Sequence, residues 1–261
     1  MWQHQNFYYR KEKMNIQLNI PTTWNQLSPN TLKKIAWYFH TNKKGKELDL
    51  LIYFAVLNIR WWQFKKVFNA VRLLKVVTIT ELKKHYSYVY KKLDLTTFIK
   101  IIKVKKYKLY APGDRLHNIS IDEFANCEDL HFQYIQSNNI DYLNYLTAVL
   151  YRKKINDEKI SFNKNNLTEH AKLINKVSKK TLVAIALSYK GSSLEIQSYY
   201  PYVFKKVAVT KSNVSSKPAL PGLGKLIQQM AGGKFGNLQE TKQTNVHDFL
   251  AELNEQLKPK L

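Results

Sequence analysis

Apolar residues recur along most of this chain at the three- and four-residue steps of an amphipathic helix, and the starts and stops of that period mark out its elements. After an extended lead-in, NIQLNIP, the segment LSPNTLKKIAWYF opens a helix. Ser28 takes the cap position, Pro29 fits the first turn, and Leu32, Ile35, Ala36 and Phe39 share a face. Glu47–Asn58 is a nearly all-round apolar helix and reads as central core. RWWQFKKVFNAVRLLKVV repeats apolar residues at Phe64, Val67, Phe68, Val71 and Leu74, so this helix is expected to pack on the preceding one. A further helix is expected over Thr80–Lys92, with Leu82, Tyr86, Val89 and Leu93 inward.

The period then shortens to two. In FIKIIKVKKYKLY, Ile102 and Val104, then Tyr107 and Leu109, alternate with lysines, which predicts one or two short strands before the turn APGD. Lys100, Lys103, Lys105, Lys106 and Lys108 read as protection of an edge strand, with a phosphate backbone as their alternative target. Helical spacing returns at SIDEFANCEDLHFQYI, where Ser120 and Glu123 spell a capping box. NNIDYLNYLTAVLYR follows with Leu143, Leu146 and Leu150 aligned, and then LTEHAKLINKV. SKKTLVAIALSYKG is expected to be capped by Ser178 and ended by Gly191, with a short helix running on to YYPYVF.

Residues 206–218 lack helical periodicity and are rich in small polar residues, which marks a linker. Beyond it PGLGKLIQQMA, a glycine turn and NVHDFLAELNEQL make a helical hairpin. The expected fold is therefore mainly α: a multi-helix main domain over 1–205 with a short β element near 97–118, the linker 206–218, and a C-terminal helical hairpin over 219–261. Met14 immediately precedes the lead-in and is an alternative start, which would leave residues 1–13 upstream.

Composition adds a field to this picture. The net charge is +23, with 22 Lys/Arg against 5 Asp/Glu up to Gly113 and 20 against 14 afterwards. Such a field draws nucleic acid, anionic surfaces or acidic proteins at long range. Cys127 is the only cysteine, so neither an intrachain disulfide nor a multi-cysteine zinc site can form, and a reducing compartment fits. The longest apolar run, LDLLIYFAVLNI, falls short of the ~20 residues of a membrane span, so no membrane partner is expected.

Candidate chemistry is sparse. The glycines of MAGGKFGNLQ miss the phosphate-loop spacing and read as a turn, with Asn237 and Glu240 capping a short helix and Thr244 or Asn245 capping the last. Asp122, Glu123, Glu128 and Asp129 lie where a helix dipole favours acids, and Cys127 with His131 would share a helical face as filler rather than as a nucleophile pair. No catalytic residue, metal ligand, cofactor or small-molecule substrate is expected. Arg60, Trp61, Trp62, Lys65, Lys66 and Arg72 form an aromatic-basic cluster suited to stacking bases and neutralising phosphates, although helical spacing favours the core for its aromatics. Val246, Phe249, Leu250, Leu253 and Leu257 line one stripe of the last helix, which either docks a partner's helix or folds back onto the main domain.

IPTTWNQLSPNTLKKIA, YLNYLTAVLYR with SKKTLVAIALSYKGSS, and FGNLQETKQTNVHDFLAELNEQL together resemble segments of phage and prophage proteins encoded among tail genes, of tail-assembly-chaperone type. The resemblance implies a helical, non-enzymatic factor for virion morphogenesis that binds tape-measure or tail-tube proteins in the host cytoplasm. A structural component of the phage particle, resident in the virion, is a second implication. The charge leaves a third reading, a basic nucleic-acid-binding protein.

Overall fold

The computed structural model describes residues 5–11, 14–59, 62–156, 158–204 and 222–259. The expected linker 206–218, Arg60 and Trp61 lie outside the described residues. The fold is mainly α with short antiparallel β hairpins. Its contacts divide it into two units, Met1–Leu95 and Thr96–Leu261.

In the first unit the extended lead-in is one strand of a hairpin. β1 (Gln5–Lys11) pairs antiparallel with β2 (Met14–Ile20), from Gln5 opposite Ile20 to Lys11 opposite Met14. α1 (Pro29–His40) is capped as expected, the Ser28 hydroxyl accepting from the Thr31 N–H, and it buries Leu32, Ile35 and Ala36. Trp24 anchors the entry to α1: its indole N–H donates to the Tyr88 carbonyl at 3.1 Å and its ring meets the Tyr88 ring edge-on. α2 (Gly45–Val56) buries Ile52, Tyr53, Ala55 and Val56. α3 (Phe64–Leu74) follows, then α4 (Ile79–Lys83) and a 3-10 helix over Lys84–Tyr90. The single helix expected over Thr80–Lys92 is thus broken at Tyr86, whose φ of −126° leaves the helical region. Leu82, Tyr86 and Val89 are nevertheless inward, as their spacing required.

In the second unit β3 (Ile101–Val104) and β4 (Tyr107–Tyr110) form a hairpin in which Ile102, Val104 and Leu109 are buried and Lys103 and Lys108 exposed. α5 (Ile121–Ser137) and α6 (Asp141–Leu150) pack together, and α6 carries Leu143, Leu146 and Leu150 into the core. A two-residue-per-strand hairpin, β5 (Lys154–Ile155) with β6 (Glu158–Lys159), leads to α7 (Leu167–Ile174) and α8 (Lys179–Tyr199). Ser178 caps α8, but Gly191 does not end it. The helix runs on to Tyr199 with Gly191, Ser192 and Ser193 buried, so these small residues serve packing rather than termination.

The C-terminal segment contributes α9 (Leu223–Met230), α10 (Leu238–Gln243) and α11 (Val246–Gln256), all packed on α5. They belong to the second unit. Backbone bonds stitch them in: Ile121 N–H to the Thr244 carbonyl at 2.9 Å and Val246 N–H to the Ile119 carbonyl at 3.0 Å. Asn237 and Glu240 form a complete capping box, and Gly232 and Gly236 take φ of +85° and +75° in the turn before it.

Candidate docking surface

α3 presents its two apolar stripes in the opposite sense from the one its bulk suggests. Ala70 and Leu73 are fully buried, and the Ala70 carbonyl accepts from the Tyr53 hydroxyl at 3.2 Å, which ties α3 to α2. Phe64 is 70% exposed and Phe68 66%, and Val67 and Val71 are exposed beside them. The expectation that Phe64, Val67, Phe68 and Val71 pack inward is therefore corrected. Steps of three and four residues place these four side chains on one face of the helix, and Trp62, exposed just ahead of α3, extends the apolar surface.

The charged residues of the segment that carries this face are all basic. Lys65, Lys66, Arg72 and Lys75 are exposed, and no carboxylate occurs in sequence between Asp49 and Glu81. Both of those acids are occupied. Asp49 accepts from Lys83 Nζ at 2.8 Å and from the Tyr90 hydroxyl at 2.6 Å. Burial alone would raise the Asp49 carboxyl, but these two donors hold it below the usual range. Glu81 closes the capping box of α4 with Thr78. The result is an aromatic and aliphatic patch beside exposed cations, on a segment with no carboxylate in sequence from Leu50 to Thr80, the kind of surface that marks an interaction site.

Of the six aromatic-basic residues singled out from sequence, Trp62, Lys65, Lys66 and Arg72 are exposed around α3, while Arg60 and Trp61 lie outside the described residues. The stripe of α11 goes the other way. Val246, Phe249 and Leu250 are fully buried, Leu253 is nearly so, and only Leu257 is exposed. Phe249 lies 5.5 Å from Phe235, ring to ring. That stripe is spent on the fold of the second unit, and a partner reaching it would first have to displace α11. The outward face of α3 was the one missed in sequence. Its signal is a competing stripe of smaller residues, Ala70, Leu73 and Val77, at the same period and all buried.

Glu123, Glu128 and Cys127 of α5 are engaged structurally. Glu123 receives a bidentate pair from Arg152, Nη1 and Nη2 each at 2.9 Å, so its carboxylate does not close the expected capping box; the Ser120 hydroxyl still accepts from the Glu123 N–H. Glu128 accepts from the hydroxyls of Tyr189 and Ser193, both at 2.6 Å, and burial raises its carboxyl. Burial, with Glu123 and Glu128 nearby, pushes the Cys127 thiol well up and keeps it protonated, the reverse of what a nucleophile needs. Among the described residues no group of three or more His, Cys, Asp or Glu is placed to hold a metal ion, and no helix is long and apolar enough to cross a membrane.

Compared with protein-family models, with curated proteins and with solved structures, the chain matches none.

Proposed function

We propose that this chain is a non-enzymatic assembly factor that works by protein–protein binding, of the tail-morphogenesis type that the sequence resemblance implies, and that it docks its partner on the outward face of α3. The observation that carries this reading is the exposure of Phe64 and Phe68 with Val67, Val71 and Trp62 beside exposed cations. The occupant is an amphipathic helix with an apolar seam and acidic flanks. Its seam covers the aromatic row, and its carboxylates meet Lys65, Arg72 and Lys75. A second copy of this chain fits poorly, because two such faces would bring like charges together.

Nucleic acid would use the same cations and Trp62. Val67 and Val71, however, offer nothing for a base to stack on and gain most from an apolar seam. The two partners separate in one titration series. A labelled helical peptide with a leucine seam and glutamate flanks is expected to bind, and the same seam with lysine flanks to bind at least about tenfold more weakly. Replacing Phe64 and Phe68 by serine is expected to abolish the glutamate-flanked complex. Binding of a mixed-sequence DNA duplex that falls steeply from ~50 to ~200 mM salt, with no peptide binding, would overturn the reading in favour of nucleic acid.

A further inference from the structure

The outer face of the β3–β4 hairpin is dominated by lysine. Lys100, Lys103, Lys105, Lys106 and Lys108, five of nine consecutive residues, are all exposed, while Ile102, Val104 and Leu109 are buried. No carboxylate occurs in sequence from Leu95 to Gly113. Among the described residues none of the five lysines is in an ion pair.

These cations are gathered against their own repulsion. Lys103 and Lys108 stand directly opposite each other in the register, so two like charges share one face of the hairpin, an arrangement that costs stability unless an anion answers it. Lys105 opens the two-residue turn at a φ of +52°, a left-handed conformation that glycine or asparagine takes more easily. The tyrosines of β4 hold further cations in place. Tyr107 has Lys153 Nζ 3.7 Å and Lys106 Nζ 5.6 Å from its ring centre, and Tyr110, which exchanges backbone bonds with Arg152, has Lys154 Nζ at 5.0 Å. Protection of an edge strand accounts for little of this, because the turn lysines lie on no strand edge and β4 is flanked by β3 on one side and, at Tyr110, by Arg152 on the other.

We propose that this hairpin binds duplex nucleic acid through its phosphates, without reading sequence. Lysine ammoniums act as point charges on phosphate oxygens and need no fixed approach. A duplex carries one negative charge per ~1.7 Å of its axis, a density that answers clustered lysines better than an acidic helix with carboxylates on one face. Ile101 is the one large apolar side chain exposed on the two strands, so a protein's apolar seam finds no row to cover here, in contrast to α3. The rings of Tyr107 and Tyr110 are already faced by lysines, which leaves no platform for unpaired bases and favours a duplex over a single strand. The hairpin belongs to the second unit and α3 to the first, so the two surfaces are tested apart.

Fluorescence anisotropy of a labelled mixed-sequence DNA duplex, titrated with the full chain from ~50 to ~200 mM salt, is the test. Affinity is expected to fall about a hundredfold over that range. The triple change Lys103→Gln, Lys105→Gln, Lys108→Gln is expected to lower the slope of log K against log salt by about 3 and to weaken binding at least about tenfold at ~100 mM salt. Its unfolding midpoint should stay level or rise, since the opposed charges are gone. Lys65→Gln, Lys66→Gln, Arg72→Gln on α3 removes the same net charge and is expected to leave the slope within about 1 of the wild type. Lys108→Gln alone, expected to lower the slope by about 1, decides the matter should the triple variant not fold. No duplex binding, binding that ignores salt, an equal loss in the α3 variant, or polyglutamate or an oligo-dT strand bound as tightly as the duplex would overturn the proposal. Duplex binding lost only with the hairpin lysines supports it and leaves the α3 reading to its own peptide test.

Discussion

Arg152 and Glu123, 29 residues apart, meet in a buried fork in which two guanidinium nitrogens each donate to a separate carboxylate oxygen at 2.9 Å. The pair joins the start of α5 to the end of α6. Arg152 is fixed from the other side too, since its backbone exchanges bonds with Tyr110 of β4 at 2.9 and 3.2 Å. One residue therefore links hairpin, α5 and α6. Removing one partner leaves the other charge buried and uncompensated, so Glu123→Ala is expected to destabilise by about 3–5 kcal/mol. The double replacement Glu123→Leu with Arg152→Met should cost less than either single change. Urea unfolding of Glu123→Ala, of the double replacement and of its two single changes measures both.

Acid should weaken the second unit through His131. Burial, reinforced by Lys190, lowers its imidazole to about 4 from an ordinary 6.5, and its ring packs edge-on against Tyr189 at 5.5 Å. A group depressed in the folded state contributes stability that is complete above 6.5 and is lost as pH falls toward 4. Unfolding midpoints across that range should fall for the wild type and fall less steeply for His131→Phe. Parallel slopes would mean that His131 titrates as it does in the unfolded chain.

The last helix should behave as core. Phe249→Ala removes a fully buried ring from contact with Phe235 and is expected to cost about 3–5 kcal/mol. Leu257→Ala, at an exposed position, should change stability by no more than about 0.5 kcal/mol. Denaturant midpoints of the two variants would reveal a free docking helix if both were silent.

Gly236 and Gly224 should respond in opposite directions to alanine. At Gly236, where φ is +75°, an added Cβ would come within 1.9 Å of the Glu240 carboxylate, the group that accepts the Asn237 N–H. Backbone strain and the lost cap together predict a cost of about 1–3 kcal/mol. A Cβ at Gly224, inside α9, meets nothing within 4 Å, and alanine there should stabilise by about 0.5–1 kcal/mol. Thermal unfolding of both variants gives the sign directly.

Local chemistry made much of this fold legible. Ser28, Ser120 and Ser178 cap helices as their spacing implied, and the alternation of lysines with Ile102, Val104 and Leu109 became a hairpin. The errors share one cause: local sequence does not carry long-range packing, so a period, for example, gives a face but not the direction it points. The larger stripe of α3 faces out because the smaller Ala70 and Leu73 fit against the rest of the unit. Gly191 passes through α8 because its neighbourhood is buried, which no local signal states. Glu123 left its capping box for an arginine 29 residues away. Of the candidate surface, the sequence held the basic and aromatic residue types but not their exposure.

That the outward face of α3 is where this chain meets its partner is tested most directly by co-purification. The tagged chain and a Phe64→Ser, Phe68→Ser variant would each be co-expressed with a helical fusion partner that presents a leucine seam and glutamate flanks. The expected result is a soluble complex with the wild type and binding at least about tenfold weaker for the variant, whose unfolding midpoint stays unchanged because both rings are exposed. No complex with the wild type, or equal binding by both, would contradict it.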